Sequence, residues 1–468
     1  MTEAKKLVVI GHGAAGLAAA LAAAEEVRGG VRIDITLLEK TSEAEAGGNT
    51  RFSPSYMRMA APDRVAPGFE EDMQLASNGR ADRGYFKRLA DNAVETIAWL
   101  QRHGIEFAVP VYYLSAGPPR IQPVGGGSVL VEKLLQAARQ AGVRIIYDCA
   151  ATTLAPDDRG NGYWLATRSR DGAARTIAAD AVVLATGGFQ GNPEMMRQHF
   201  GAAAENIKLI SPGTRFDTGD GVRMAAAVGA ALSGDWNGMH AEPVDPRSTK
   251  PAPVVLVYPY GIVVDQNGDR FFDEGAGLVH ETWEAFARDI HASRPNHIAY
   301  AILDSGLHEI AGFERAIRSD VPPYQADTIA ALAELIEVPA HHLQRTVESF
   351  NAAATGNVAR FDASRCDGLA TSAGLKPSKS NWARPIAQPP YLAYPLVGAI
   401  AYTFGGVATN DNAEVRRAAG TIPGLYAAGE MTGHFYGTAP NAVAMLRALV
   451  FGRIAGREAA GYLHRTDQ

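Results

Sequence analysis

The sequence predicts an α/β fold whose main layer comes from two separated stretches of chain, with an α+β unit inserted between them. Three observations predict it. An apolar strand runs into a glycine turn and an alanine-rich helix near the N-terminus, the same patterning returns after about residue 385, and the stretch from Trp236 to Arg384 is instead rich in Pro, His and aromatic residues.

Taken in order, Leu7 to Ile10 reads as a buried parallel strand, followed by the turn, a helix to about Val27 and a strand from Ile33 to Leu38. Ser128 is placed to cap a helix from Val129 to Gln140, which leads to a strand from Val143 to Tyr147. A meander then ends in the strand Ala181 to Ala185, and helical signals follow from Gly221 to Gly229. Helices at Asp327 to Ile336 and His341 to Ala354 fall in the inserted unit. Gly424 to Glu430 reads as a strand and turn, and Val443 to Gly461 as the last helix. The expected division is 1–235 with 385–468 as one discontinuous domain and 236–384 as a cap.

With 468 residues and 47% hydrophobic content the chain can bury a large core without staples, and its net charge of -6 gives no footprint for nucleic acid. No run approaches the roughly 18 apolar residues of a membrane helix, and the N-terminus lacks the regions of a signal peptide, so the expectation is a cytoplasmic protein. The two cysteines, Cys149 and Cys366, form no metal or redox pattern.

The turn reads Gly11-His12-Gly13-Ala14-Ala15-Gly16. Gly11 permits the tight turn, Gly13 lets a pyrophosphate approach the backbone, and Gly16 lets helix and strand pack closely. Glu39 ends the next strand, where it can accept hydrogen bonds from a ribose and would repel a 2'-phosphate. FAD and NAD both satisfy this fingerprint. Ala185-Thr186-Gly187-Gly188 and the late Gly429-Glu430 pair decide for FAD, because they resemble the second and third flavin-lining segments of glutathione-reductase-type proteins. A helix opening near Asn441, Ala442 and Val443 aims its N-terminus at the flavin O2. The expected fold is thus a discontinuous glutathione-reductase-type FAD-binding Rossmann domain with an inserted α+β cap domain.

With these segments in place the chain resembles the flavoproteins of the fumarate reductase and succinate dehydrogenase family, and within it the tricarballylate dehydrogenase-like soluble branch. The matching stretches are Gly47-Gly48-Asn49-Thr50-Arg51, Pro123 to Gly127, Thr218-Gly219-Asp220-Gly221, Trp236 to His240, Arg270 to Gly275, Thr403 to Gly406 and Phe451 to Gly456. Gly47, Gly48, Asn49, Thr50, Lys40, Ala151 and Asp220 complete the expected cofactor-binding set. No His lies between residues 41 and 60, where relatives with attached flavin carry it, so the resemblance implies non-covalent FAD.

The resemblance also implies the chemistry: hydride passes between a substrate carbon and flavin N5 while a protein acid or base moves a proton at the neighbouring carbon, beside a carboxylate or ketone. His240 stands where relatives carry a substrate-binding His, Arg51 follows the flavin-contacting glycines, and Glu274 matches a Glu of the cap's proton path. Tyr402 replaces the His that precedes the Thr-x-Gly-Gly segment of fumarate reductases. Their cap Arg falls near Asp304 to His308, which makes His308 the titratable candidate. Their carboxylate-clamping Arg has no counterpart between Phe435 and Asn441. Ala439 stands where the related 3-ketosteroid dehydrogenases place a Tyr, with Tyr436 close by. Tyr402, Phe404, Phe435 and Tyr436 suggest a flat organic acid, enone or ketone. Amine or 2-hydroxy acid oxidation and a flavin subunit that only passes electrons to a partner are the competing readings.

Overall fold

The computed structural model describes residues 4–26, 32–114, 117–158 and 160–466. Strands Lys5–Ile10, Ile33–Leu38, Arg144–Ile146, Ala181–Leu184 and Thr421–Ala427 form the parallel part of a six-stranded sheet, with Lys5–Ile10 at its interior and Glu414–Arg416 added antiparallel at one edge. Strand Lys5–Ile10 is flanked on both sides, so its buried residues Leu7 to Ile10 are apolar in succession and not alternating. Leu7 and Val9 pack toward helices Ala14–Glu25 and Ala444–Arg465, while Val8 and Ile10 pack toward the antiparallel meander 149–179 and helix Asp220–Ala227. The two helices pack closely because small residues face each other: a Cβ on Gly456 would lie 2.1 Å from the Ala19 carbonyl oxygen.

The expected elements appear with shifted ends. The first helix stops at Glu25, and the expected continuation to Val27 lies outside the described residues. Ser128 is not a cap: the helix runs Gly126–Gln140 from a left-handed Gly125 (φ 87°). Gly126 and Gly127 let the backbone press against residues 50–54, where a Cβ on Gly127 would meet the Thr50 carbonyl oxygen at 1.8 Å.

A second six-stranded sheet is organised on the long strand Tyr391–Thr403, which pairs with Met239–Val244, Ala299–Asp304, Tyr324–Ala326 and Lys208–Leu209. Helix Val279–Ser293 covers one side of it, and helices Ile329–Leu335 and Ala340–Ala353 the other. The end of Tyr391–Thr403 reaches back to the first sheet, so residues 401–403 lie between the two layers. No helix among the described residues is long and apolar enough to cross a membrane.

Candidate active site

A cavity of about 530 Å³ starts at the glycine turn and continues to the second sheet. At its first end Gly11 (φ 109°) brings its backbone against the next strand, a Cβ there falling 2.2 Å from the Ala185 carbonyl oxygen. A Cβ on Gly16 would sit 1.9 Å from the Gly11 carbonyl oxygen, so both positions exclude side chains by close packing. Gly13 differs, since only Thr50 Oγ1, at 3.5 Å, comes near its Cβ position, and the helix N-terminus therefore opens on the cavity. The Ala14 N–H donates to Thr50 Oγ1 at 3.1 Å. Glu39 accepts from the His12 N–H (3.1 Å) and from the Thr41 N–H and hydroxyl (both 2.8 Å), which fixes its carboxylate beside the turn with acceptor capacity to spare. Lys40 donates to Thr218 (2.7 Å) and pairs with Asp220 (3.0 Å).

In the middle of the cavity Glu430 accepts from the Thr403 N–H at 3.2 Å, and burial pushes its carboxyl up to about 7. Burial, and then the Glu430 charge, also raises Asp217, which accepts from Gln190 Nε2 at 2.9 Å. Asn49 spans the layers, donating to the Ala401 carbonyl (2.8 Å) and accepting from Ser211 (2.9 Å). Ala442, Ala444, Met445 and Arg447 bring the start of the last helix to the same wall.

The far end is built by strand register. His240 and Tyr402 are direct partners across antiparallel strands, with a bulge just after His240, and their rings stack at 4.9 Å. Helix Val279–Ser293 lays His280, Trp283 and Glu284 along one face toward them. His240 Nδ1 lies 2.8 Å from Glu284 Oε2 and Nε2 lies 3.2 Å from Glu242 Oε1. Burial disfavours the imidazolium, but the bonds to Glu242 and Glu284 outweigh it and raise His240 to about 9. Burial and then the Glu284 charge drive Tyr402 well above the usual tyrosine range, so it stays a neutral phenol. Burial lowers His280 below the usual imidazole range.

A family model described as an FAD binding domain matches residues 6–444. The chain belongs to the FAD-binding domain family. It is an FAD-dependent oxidoreductase, as expected from the sequence. Over 98% of its length it is 28% identical to a vinyl phenol reductase of Lactiplantibacillus plantarum, covering 97% of that protein. Its fold matches the open conformation of a flavocytochrome c3 fumarate reductase with TM-score 0.77 and 25% identity, over 99% of this chain and 79% of the other. It also matches a 3-ketosteroid-Δ4-(5α)-dehydrogenase of Rhodococcus jostii RHA1 with TM-score 0.70 and 25% identity, over 98% of both chains.

The residues present fit FAD, on the ground of the open Gly13 face, the fixed Glu39 carboxylate and the start of the last helix in the cavity wall. Gly11, Gly13, Ala14, Ala15, Glu39, Lys40, Gly48, Asn49, Thr50, Ala151, Ala185, Thr186, Gly187, Asp220, Gly429, Glu430, Asn441 and Ala442 all line this one cavity. Gly16, Gly47, Gly188 and Val443 lie behind its wall: Gly188 passes so close to Glu430 that a Cβ would fall 2.1 Å from Oε1, and Val443 is buried at the start of the last helix.

Of the expected catalytic set, His240 and Tyr402 meet in the cavity and four residues do not. Arg51 turns away to donate to the Ala44 and Ala46 carbonyls, both at 2.8 Å. Glu274 is fully buried in an ion pair with Arg270 (2.6 Å) and accepts from the Val263 N–H (2.8 Å), so here it holds the second sheet together. His308 is exposed beside Phe313 on a short helical turn. The Tyr436 hydroxyl accepts from the Gly234 N–H at 3.1 Å, and Arg80 covers its ring. Phe404 and Phe435, expected near a flat substrate, are packed into the main core. In their place the cavity holds Tyr56, Tyr113, Arg120, Glu242, His280, Trp283, Glu284 and Arg318, for which no motif in the sequence gave notice.

Proposed function

We propose that this enzyme adds or removes hydrogen across a carbon–carbon bond adjacent to a carboxylate or ketone, the substrate lying between the flavin and the His240–Tyr402 pair. The observation that carries the reading is the His240 ring, hydrogen-bonded between the buried Glu284 carboxylate and the partly buried Glu242 carboxylate and stacked on the Tyr402 phenol, in the cavity that begins at the glycine turn. FAD supplies hydride exchange at a substrate carbon. The chain supplies the rest. His240 presents positive charge that lowers the cost of the enolate forming at the neighbouring carbon. Tyr402, which lines the cavity without a hydrogen-bond partner among the described residues, holds or moves the proton at that carbon. Burial and the Glu284 charge keep it protonated, the form that can donate.

The residues lining the glycine-turn end and middle of the cavity form the cofactor site in this reading, and the inserted unit expected at 236–384, joined to strand Tyr391–Thr403 at the centre of the second sheet rather than ending at 384, acts as a cap over the first sheet and its helices. Each reduction consumes two electrons, so an external carrier restores the reduced flavin. A cytoplasmic location belongs to the same proposal and is supported by the two unpaired cysteines. Anaerobic mixing of the reduced enzyme with a panel of α,β-unsaturated acids and ketones tests the function. At least one must reoxidise the flavin. A panel without effect on the spectrum in either direction would defeat the proposal.

A further inference from the structure

Resting on that reading, we propose that Arg120 anchors a single carboxylate carried by a planar, aromatic unsaturated acid. Arg120 follows two prolines and precedes Ile121, which bridges to Met57, and this pairing sets the guanidinium beside Tyr56. Its carbon lies 3.7 Å from the Tyr56 ring centre and 3.9 Å from that of Tyr112, with Tyr113 at 5.0 Å. Both flanking rings are themselves fixed: the Tyr56 hydroxyl accepts from Arg318 (2.7 Å) and the Tyr112 hydroxyl from Asn441 (3.3 Å). Stacking on two rings leaves a guanidinium only its edge for hydrogen bonding, the edge that matches a carboxylate.

Arg120 lines the cavity with 3% of its surface exposed, and along that edge its Nε and Nη2 have no hydrogen-bond partner among the described residues. The nearby carboxylate of Glu242 is engaged with His240 instead. A buried guanidinium without an acceptor is costly, so an anion is expected to arrive with the ligand. His240 is held by Glu242 and Glu284, and Arg318 by the Tyr56 hydroxyl, so the guanidinium edge left unsatisfied beside them, that of Arg120, suits one carboxylate. Tyr113, Trp283 and Tyr402, which share the cavity wall, suit an aromatic body.

Cinnamate and cinnamamide have the same shape and differ in charge, and their binding to the oxidised holoenzyme is read as a change in flavin absorbance. The wild type should prefer the acid by roughly 30-fold or more, a factor typical of a buried charge pair. Arg120→Met should abolish the preference by weakening cinnamate alone, with FAD content unchanged. Arg120→Lys should keep a preference at reduced affinity, and this comparison decides the matter if the Met variant does not fold. Absence of cinnamate binding, equal wild-type affinities, an unaltered preference in Arg120→Met, or an Arg120→Lys enzyme identical to wild type would overturn the assignment. Binding with the predicted preference but without reoxidation of reduced flavin would instead count against the carbon–carbon chemistry and leave the anchor standing.

Discussion

Replacing Glu284 by Gln removes one of the two carboxylates that hold His240 charged. The folded-state pKa of His240, about 9, stands above its ordinary 6.5, so the clamp stabilises the fold fully below pH 6.5 and loses that contribution as pH rises through 9. The difference corresponds to roughly 3 kcal/mol, and the 2.8 Å bond from Nδ1 to Glu284 Oε2 is the shorter of its two contacts. Glu284→Gln should therefore lower the unfolding free energy by about 2 kcal/mol at pH 6, where breaking a buried pair strands one charge. Near pH 10 the loss should be clearly smaller, because His240 is then neutral and Glu284 keeps only its 3.5 Å pairing with Arg288 and the Ala439 N–H at 3.3 Å. Urea denaturation of the holoenzyme at both pH values measures this, and the high-pH limb of turnover should move down by more than one unit. Equal destabilisation at both pH values, or an unmoved limb, would refute the clamp.

Gly16→Ala places a methyl group 1.9 Å from the Gly11 carbonyl oxygen, so it should purify without flavin or fail to fold, as read from the ratio of flavin to protein absorbance. Glu274→Gln breaks a fully buried pair with Arg270 and should cost roughly 3–5 kcal/mol in denaturant titrations, while any enzyme that remains folded keeps its flavin and its pH profile. Denaturing the wild type should release all of its FAD, whereas yellow colour left on the precipitated chain would show a covalent link.

The cofactor end was legible in the sequence because its chemistry is local. A tight turn, a close helix and a carboxylate at the next strand end each demand a residue type at a fixed offset, and Gly11, Gly13, Gly16 and Glu39 satisfy all of them. The substrate end depends on contacts between distant segments. Tyr402 and His240 could be named separately, but only the strand register stacks them, and only helix Val279–Ser293 adds Glu284. Arg120 carries no pattern, since its role comes from Tyr56 and Tyr112 closing on it from other parts of the chain. Glu274 and His308 lie outside the cavity for a related reason: motifs specify chain position, whereas burial against Arg270 or exposure beside Phe313 is decided by packing.

The central claim is that His240 and Tyr402 handle charge and proton for chemistry at a carbon–carbon bond. Its most direct test is the rate at which an α,β-unsaturated acid reoxidises the pre-reduced enzyme in wild type, Tyr402→Phe and a His240 variant, with flavin content measured in each. Full flavin occupancy with reoxidation slowed by about 100-fold or more in both variants is the predicted result. Reoxidation at the wild-type rate in both would contradict the account.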